Sequence, residues 1–523
     1  MSCSPTSLSD GALMIPTWLS DDWLWNGLWA IYIIVIGLWV VLQKRPPVST
    51  LTWILFLSFV PALGFVIYYF FGPKKITRNK INRSISKHLI ERDDTLWNVR
   101  IQPSGLTEQQ RPIHDLALQI THYPLSYATS YQLLSGGEKT YDRIFEAVRK
   151  AEHYIFLEYY IFEQDQTGTT LRDLLTERAR QGVKIYLIAD AIGSLRLNRR
   201  FMRPLIQAGA RLTFFHDISL KHLLSFMNLR NHRKIVICDG AVAFTGGINI
   251  SDQQDRRRNK RAFHDVHLEL TGPVVSWLET IFVEDWHYST HDLSVRHMLR
   301  EHYRDRLERL QEQAEDDAGK AAATRRVAPD DAGHDSQPAP PAPQWIRTQI
   351  IPSGPDFDYA SILRVTVDAI QRARHRVYLT TPYFVPDATS AQALTSASLR
   401  GVDVRILLPK QTDNYVVTKA AQSWFDDLVA SGIRVFEYGP RMLHTKSMIV
   451  DDDISFIGSA NFDNRSFYLN FEVSVLCYER AANQALLEEF NASMQHAQEV
   501  QLTHQPFFSR LSKAVARLFS PLL

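Results

Sequence analysis

The sequence predicts an α/β protein built of two pseudo-symmetric halves with mixed central sheets, preceded by an N-terminal two-helix transmembrane hairpin. Three observations predict it. Two long apolar runs open the chain. From about residue 120, short strands alternate with helices, the pattern of α/β units. The same alternation then returns in the same order beyond a linker.

Residues 1–85 read as a membrane anchor. Trp23 to Leu42 carry no charge, and Leu51 to Phe71 form a second apolar run. Each is close to the roughly 20 residues that cross a hydrocarbon core as a helix. Trp23, Trp25 and Trp29 crowd one end of the first run, and Tyr68 and Tyr69 lie near the end of the second, as aromatic residues do at a membrane interface. A cleaved signal peptide fits poorly, because no Lys or Arg precedes the first run. The short link Gln43-Lys44-Arg45-Pro46-Pro47 makes the pair a hairpin. Lys74, Lys75, Arg78, Lys80 and Arg83 follow the second run and put that flank, and so both ends of the hairpin, in the cytoplasm. Lys44 and Arg45 on the outer turn argue the other way, and a shallow hairpin dipping into one leaflet is the alternative.

The first half spans residues 120–305. A helix is expected over Tyr141–Ala151, with Ile144, Phe145 and Val148 on one face, then a strand over Tyr154–Phe162, a helix over Thr170–Gln181 and a strand over Val183–Ala189. The second half, 346–500, repeats this with a helix over Tyr359–Ala373, a strand over Arg376–Phe384, a helix over Ala391–Leu399 and a strand over Val402–Leu408. Leu205 to Leu212 and Leu428 to Val435 continue the parallel. Between the halves, 306–345 reads as a linker, rich in Ala, Asp and Pro over 311–343. Residues 501–523 hold a basic amphipathic helix. From Phe507 to Phe519 apolar residues recur near helical spacing with Arg510, Lys513 and Arg517 between them, a pattern that fits an interfacial helix on anionic lipid or a helix docked on the core.

Charge and cysteines narrow the options. Net charge is only +2, so no global field points to nucleic acid. The basic run Arg256 to Arg261 is a solvated loop or a phosphate-attracting one. Three cysteines give no disulfide framework, and Cys238 and Cys477 lie in apolar strands as buried thiols, which fits a reducing compartment.

Each half carries one copy of the same pattern. The first is His232-x-Lys234 followed by Asp239, the second His444-x-Lys446 followed by Asp451. Small-residue turns follow at matching distance, Gly246-Gly247-Ile248-Asn249 and Gly458-Ser459-Ala460-Asn461. Alternate residues of a strand share a face, so each histidine projects with its lysine. Asp239-Gly240 and Asp451-Asp452-Asp453 suit hairpin turns, and the two aspartates fit either a chemical role or a turn-holding one. A composite site would join two imidazoles, two ammonium groups and the amides of Asn249 and Asn461. That set suits a phosphodiester: lysines and asparagines oppose the charge on the nonbridging oxygens, one histidine attacks phosphorus, and the other protonates the leaving alkoxide. The cations are side chains, so no metal or other cofactor is expected. Several residues are less decisive. Glu158 fits a place at the site or an ordinary strand position. Tyr383 and Phe384 fit a headgroup pocket or the core. Leu220 to Leu229 fit a lipid path or plain packing. His287 and His291, four apart on a helix, fit a surface pair better than a metal site.

The repeated motif and its asparagine turns resemble the phospholipase D superfamily over about residues 120–500. Arg230 to Lys234, Thr381 to Asp387, Leu443 to Lys446, Asn470-Phe471-Glu472, the hairpin and the ending Leu518 to Leu523 narrow the resemblance to the bacterial cardiolipin synthase family. The resemblance implies transfer of phosphatidyl from one phosphatidylglycerol to another, giving cardiolipin and glycerol through a phosphohistidine. It also implies that Asp265 and Glu472 orient the histidines. The partners implied are phosphatidylglycerol and an anionic bilayer, with no nucleic acid, at a bacterial inner membrane with the catalytic part in the cytoplasm. Gly247 departs from the serine that many members carry there, and the linker is long for the family. A hydrolytic phospholipase D, a transferase using another donor or acceptor, a nuclease and an inactive membrane scaffold are the rival readings. The sequence leaves the oligomeric state and the two histidines' separate roles open.

Overall fold

The computed structural model describes residues 21–43, 47–60, 63–65, 68, 105–216, 229–304, 345–501, 506–518 and 520. Several expectations lie outside them: the Lys44-Arg45 turn, the basic flank Lys74 to Arg83, most of Leu220 to Leu229, the 311–343 linker and the last three residues. The described chain forms two compact units, residues 1–75 and 76–523.

In the first unit, α1 (Asp21–Val41) packs on α2 (Pro47–Phe59). Val40, Leu57 and Tyr68 form its small core, and the Tyr68 hydroxyl donates to Gln43 at 2.8 Å. Of the second apolar run, expected as a helix over Leu51–Phe71, α2 covers the part up to Phe59, and residues 61–62, 66–67 and 69–71 lie outside the described ones. Proline lacks an N–H and disfavours helix at the residue before it, and α2 stops ahead of Pro61. Its 13 residues span about 20 Å, short of a core of about 30 Å. Among the described residues no helix is long and apolar enough to cross a membrane.

In the second unit, α3 (Gln110–Thr121) leads to β1 (Ser126–Ala128) and β2 (Ser130–Ser135). Then follow α4 (Gly137–Lys150), β3 (Tyr154–Tyr159), α5 (Gln166–Arg180), β4 (Lys184–Asp190), α6 (Arg199–Gln207), β5 (Arg211–Phe215), β6 (Lys234–Cys238), β7 (Val242–Gly246), β8 (Val266–Thr271) and α7 (Val274–Thr290). The second half contains β9 (Ile346–Ser353), α8 (Ser361–Arg372), β10 (Arg376–Thr380), β11 (Phe384–Val385), α9 (Ala388–Leu399), β12 (Asp403–Pro409), α10 (Tyr415–Gln422), α11 (Phe425–Ala430) and β13 (Arg434–Tyr438). It continues through β14 (Ser447–Val450), β15 (Ile454–Gly458), β16 (Phe462–Asp463), α12 (Asn464–Tyr468), β17 (Glu472–Cys477), α13 (Arg480–Met494), β18 (Ala497–Glu499) and α14 (Phe507–Leu518).

The duplication is visible in the sheets. One runs β2-β8-β7-β6-β3-β4-β5, the other β9-β17-β15-β14-β10-β12-β13 with β1 and β18 added at its edges. In each, the strands from the first helical crossover pair in parallel (β3 with β4, β10 with β12) and the hairpin strands pair antiparallel, so both sheets are mixed. Helices α4 and α5 cover one face of the first sheet through Ile144, Phe145, Val148, Leu171 and Leu175. Helices α8 and α9 cover the second in the same way. The other faces meet α7, whose Leu278, Phe282 and Trp286 share one apolar cluster with Phe156 and Tyr186 of the first sheet and Ile350 and Tyr378 of the second. Full burial of one such side chain is worth about 2 kcal/mol, so this shared core binds the halves into one body. Strand β1 reinforces it: it lies at the start of the first half in sequence yet pairs with β9 of the second, Ser126 opposite Thr348.

Candidate active site

The two motifs meet where the halves meet. His232 stands just before β6, which opens with Lys234, and Lys446 stands just before β14. The chain on either side of each histidine is sewn to the opposite half. The N–H of His232 donates to the Phe471 carbonyl at 2.9 Å, and the N–H of Phe471 donates to Arg230 at 2.8 Å. The mirror image is present on the other side, where His444 donates to His264 at 2.6 Å and His264 to Met442 at 2.8 Å. One residue beyond each of these rungs stands a carboxylate, Glu472 or Asp265.

Those carboxylates reach the histidines. His444 Nδ1 lies 2.6 Å from Asp265 Oδ2. His232 Nδ1 lies 3.0 Å from Glu472 Oε1, with the Ser459 carbonyl at 3.1 Å. A carboxylate at Nδ1 holds the proton there and leaves the Nε2 lone pair as the reactive one. Burial is the largest influence on both imidazoles and disfavours their charged form. It holds His232 below its usual value and, aided by Lys446, brings His444 down to about 4. Both are therefore neutral near pH 7. Burial pushes Asp265 and Glu472 upward, but the nearby lysine charges and the hydrogen bonds from the histidines outweigh it, and both carboxyls stay below their ordinary range.

The lysines are buried beside them. Lys234 and Lys446 donate to the carbonyls of their own motif histidines, and Lys446 Nζ also lies 3.4 Å from Asp265 Oδ2. Burial lowers both, Lys234 to about 7. Asn249 and Asn461 are buried in the wall of the same cleft, a cavity of about 500 Å³ that also exposes both histidines. The Asn249 side-chain carbonyl accepts the Ile161 N–H at 3.2 Å, which leaves its NH2 as the donor group.

Asp239 and Asp451 differ from a direct chemical role: they lie at the far ends of β6 and β14, away from the cleft. Asp239 accepts the N–H groups of Glu152, His153 and Tyr154 at 2.7–2.8 Å, and Asp451 those of Arg374, His375 and Arg376. Both have left-handed backbones, φ 53° and 52°, a conformation that aspartate tolerates better than most residues. They anchor the hairpin loop to the start of β3 or β10. Glu158 is fully buried and accepts from the Asn231 amide behind His232, outside the cleft wall. Phe384 is core and stacks on Phe462, whereas Tyr383 lines the cleft edge-on to His444, ring centres 6.3 Å apart. His287 and His291 sit on and just after α7 with their rings 6.2 Å apart.

Other cleft residues were given no role at the site by the motif reading. Tyr160 meets His232 edge-on at 4.7 Å and lies 5.4 Å from Lys234 Nζ. Asp463, one position past β16's first residue, is buried and raised to about 6, mainly by desolvation. Arg230 and Arg465 also face the cleft. The departure at Gly247 has a spatial reason. A Cβ there would stand 2.2 Å from Asp265 Oδ1, whereas the equivalent Ser459 donates its hydroxyl to the longer Glu472. Glycine goes with the short carboxylate and serine with the long one.

The chain is similar to known proteins over most of its length. The family described as "Cardiolipin synthase, PLD-like domain" matches residues 144–286 and 366–494, and "Phospholipase_D-nuclease N-terminal" matches 29–73. The chain is 33% identical over 500 residues to a cardiolipin synthase of Geobacillus sp. (strain WCH70), covering 94% of this chain and 92% of that one. It is 32% identical over 529 residues to a cardiolipin synthase of Alkalihalophilus pseudofirmus, covering 98% and 97%. The fold resembles the crystal structure of phosphatidylserine synthase from Haemophilus influenzae, with a TM-score of 0.55, 15% identity, and coverage of 79% of this chain and 100% of that one.

Proposed function

The chain belongs to the cardiolipin synthase family of phospholipase D-like proteins, and from that premise we propose that it transfers phosphatidyl from one phosphatidylglycerol to another, making cardiolipin and glycerol. One observation carries the chemistry: two neutral histidines face one cleft, each with Nδ1 on a carboxylate from the opposite half and each beside a buried lysine.

In the first step, Nε2 of one histidine bonds to phosphorus as the bond to the glycerol oxygen breaks. The other imidazole, which takes up a proton at Nε2 as the anionic substrate binds beside it, gives that proton to the oxygen, and glycerol leaves. In the second step, the terminal hydroxyl of another phosphatidylglycerol gives its proton to the same imidazole and bonds to phosphorus as the P–N bond breaks. Lys234, Lys446, Asn249 and Asn461 oppose the charge that builds on the nonbridging oxygens. Asp265 and Glu472 orient the rings and stabilise each imidazolium as it forms.

Lipid access fits two further features. The tryptophan-rich apolar hairpin supports a bilayer anchor, and with it a site at the bacterial inner membrane. Helix α14 supports both sequence readings at once. Ala516 packs with Val417 and Ala420 of α10, and Arg517 pairs with Asp427 at 3.3 Å, while Phe507, Leu511, Val515 and Leu518 share one exposed stripe. A docked helix with an apolar outer face and basic neighbours suits an anionic interface.

The test is to supply the purified full-length protein with phosphatidylglycerol and resolve the products. Cardiolipin with matching glycerol is expected. Phosphatidic acid alone would assign a hydrolase, and activity surviving in both His232→Ala and His444→Ala would overturn the mechanism.

A further inference from the structure

The catalytic centre is nearly symmetric, but the cleft around it is not. The pseudo-dyad that maps His232 on His444 and Asn249 on Asn461 also maps Arg230 on Met442 and Arg465 on Gln253, since each pair holds the same offset from its motif. Arg230 and Phe471 are joined by the backbone bond that has Met442 and His264 as its mirror, so this equivalence is structural. Arg230 reaches the cleft from just before the first motif. Arg465 reaches it from α12, whose chain returns through Asn470 to Phe471 beside Arg230. One side of the cleft thus carries two guanidiniums, and the corresponding positions on the other carry a thioether and an amide. Arg441, the remaining arginine near the second motif, is turned onto His264 at 3.1 Å.

Two guanidiniums on one concave wall repel each other. Each is placed near a carboxylate, Arg230 at 3.7 Å from Asp190 and Arg465 beside Asp463. Both also act on the hydroxyl of Tyr160, whose ring meets His232 edge-on, so the pair lies close to the reacting centre. At that centre the two lysines are matched by Glu472 and Asp265, and the catalytic set acts on one phosphodiester. The proposed reaction presents two. While the acceptor's hydroxyl attacks the phosphohistidine, the acceptor's own phosphodiester remains an anion one glycerol bridge away. Guanidinium is the side chain whose fork matches phosphate oxygens.

We propose that Arg230 and Arg465 form a second phosphodiester subsite, which holds the phosphate of the acceptor lipid and so makes one side of a symmetric catalytic centre the acceptor side. This deepens the transfer reading and rests on it. Arg465→Gln, on the half-buried residue, is the primary variant, with Arg230→Lys as the second, each checked by its melting temperature. The enzyme is given phosphatidylglycerol vesicles and labelled free glycerol, and two products are followed in one reaction. Label entering phosphatidylglycerol reports attack by an acceptor that has no phosphate. Cardiolipin reports attack by one that has it. Arg465→Gln is expected to lower cardiolipin formation at least about tenfold more than glycerol exchange, the scale of one charge-assisted pair, and to raise the apparent KM for acceptor lipid. Equal loss of both products in a folded variant would overturn the subsite and place Arg465 on the donor phosphate. A wild-type enzyme that exchanged glycerol yet formed no cardiolipin would instead overturn the transfer reading, and the subsite with it.

Discussion

His444 Nδ1 lies 2.6 Å from Asp265 Oδ2, although the two residues come from opposite halves of the chain. His232 and Glu472 repeat the relationship in the other direction. Neutralising the carboxylate should therefore damage chemistry more than binding. Asp265→Asn and Glu472→Gln are each expected to lower kcat roughly 100-fold or more with KM changed little, since an amide cannot hold the required tautomer or stabilise the imidazolium. Steady-state cardiolipin formation checks this, and an unchanged kcat in both variants would refute the orienting role.

Gly247→Ala tests the close approach beneath Asp265. The added Cβ would stand 2.2 Å from one carboxylate oxygen and 2.4 Å from the other, so the carboxyl must move. A displacement on that scale is expected to cost roughly 100-fold in kcat. Ser459→Ala removes a hydroxyl without adding bulk and should lose less. A Gly247→Ala enzyme of normal rate would show that Asp265 has room to spare.

Asp239→Ala and Asp451→Ala should act on stability. Each removes a carboxylate that gathers three or more N–H groups at a left-handed turn. A loss on the order of 3 kcal/mol is expected by thermal or denaturant unfolding. Protein that remains folded should keep most of its kcat. A large fall in kcat at unchanged stability would return these residues to the chemistry.

The buried titrating groups set two pH limits. His444 falls from an ordinary 6.5 to about 4 in the fold, so between those values the unfolded chain binds a proton that the native one does not. Stability must then fall as pH drops from about 6.5 towards 4, and His444→Gln should show a smaller drop in melting temperature between pH 7 and 5. Lys234, brought down to about 7, loses its charge as pH rises through that value, so kcat/KM should decline on the alkaline side of about pH 7. Identical acid sensitivity of wild type and His444→Gln would contradict the first limit, and a flat alkaline limb the second.

The exposed stripe of α14 predicts lipid binding. Phe507 and Phe508 are 70% and 81% exposed, so replacing both with serine should leave folding intact. Sedimentation with anionic vesicles, in a chain shortened to begin at residue 76 where the compact catalytic unit starts, should weaken several-fold. Equal sedimentation would mean that α14 serves only as a brace for α10.

Much of this could be read from residue order because strand periodicity is local. His232 with Lys234, and His444 with Lys446, share faces wherever the strands lie, and the duplicated order of elements implied two like sheets. Of the second apolar run, α2 accounts for the stretch up to Phe59, and several residues beyond Val60 lie outside the described ones. The turn role of Asp239 and Asp451 depends on φ and on distant N–H groups, which spacing cannot supply. Tyr160, Arg230 and Arg465 have no repeating partner, and they reach the cleft only because rungs such as Asn231 opposite Phe471 bring remote segments side by side. The exchange of carboxylates between halves is likewise a tertiary fact.

That exchange has a consequence during synthesis. The chain is made from its N-terminus, so His232 emerges and its sheet can form while Glu472 is still some 240 residues from being made. His444 finds Asp265 already waiting, but it arrives on the last strands of the second sheet. Neither motif can become reactive on its own half. Each histidine thus gains its carboxylate only when the two halves are both made and joined, so a half cut off by early termination would carry an imidazole without its orienting partner.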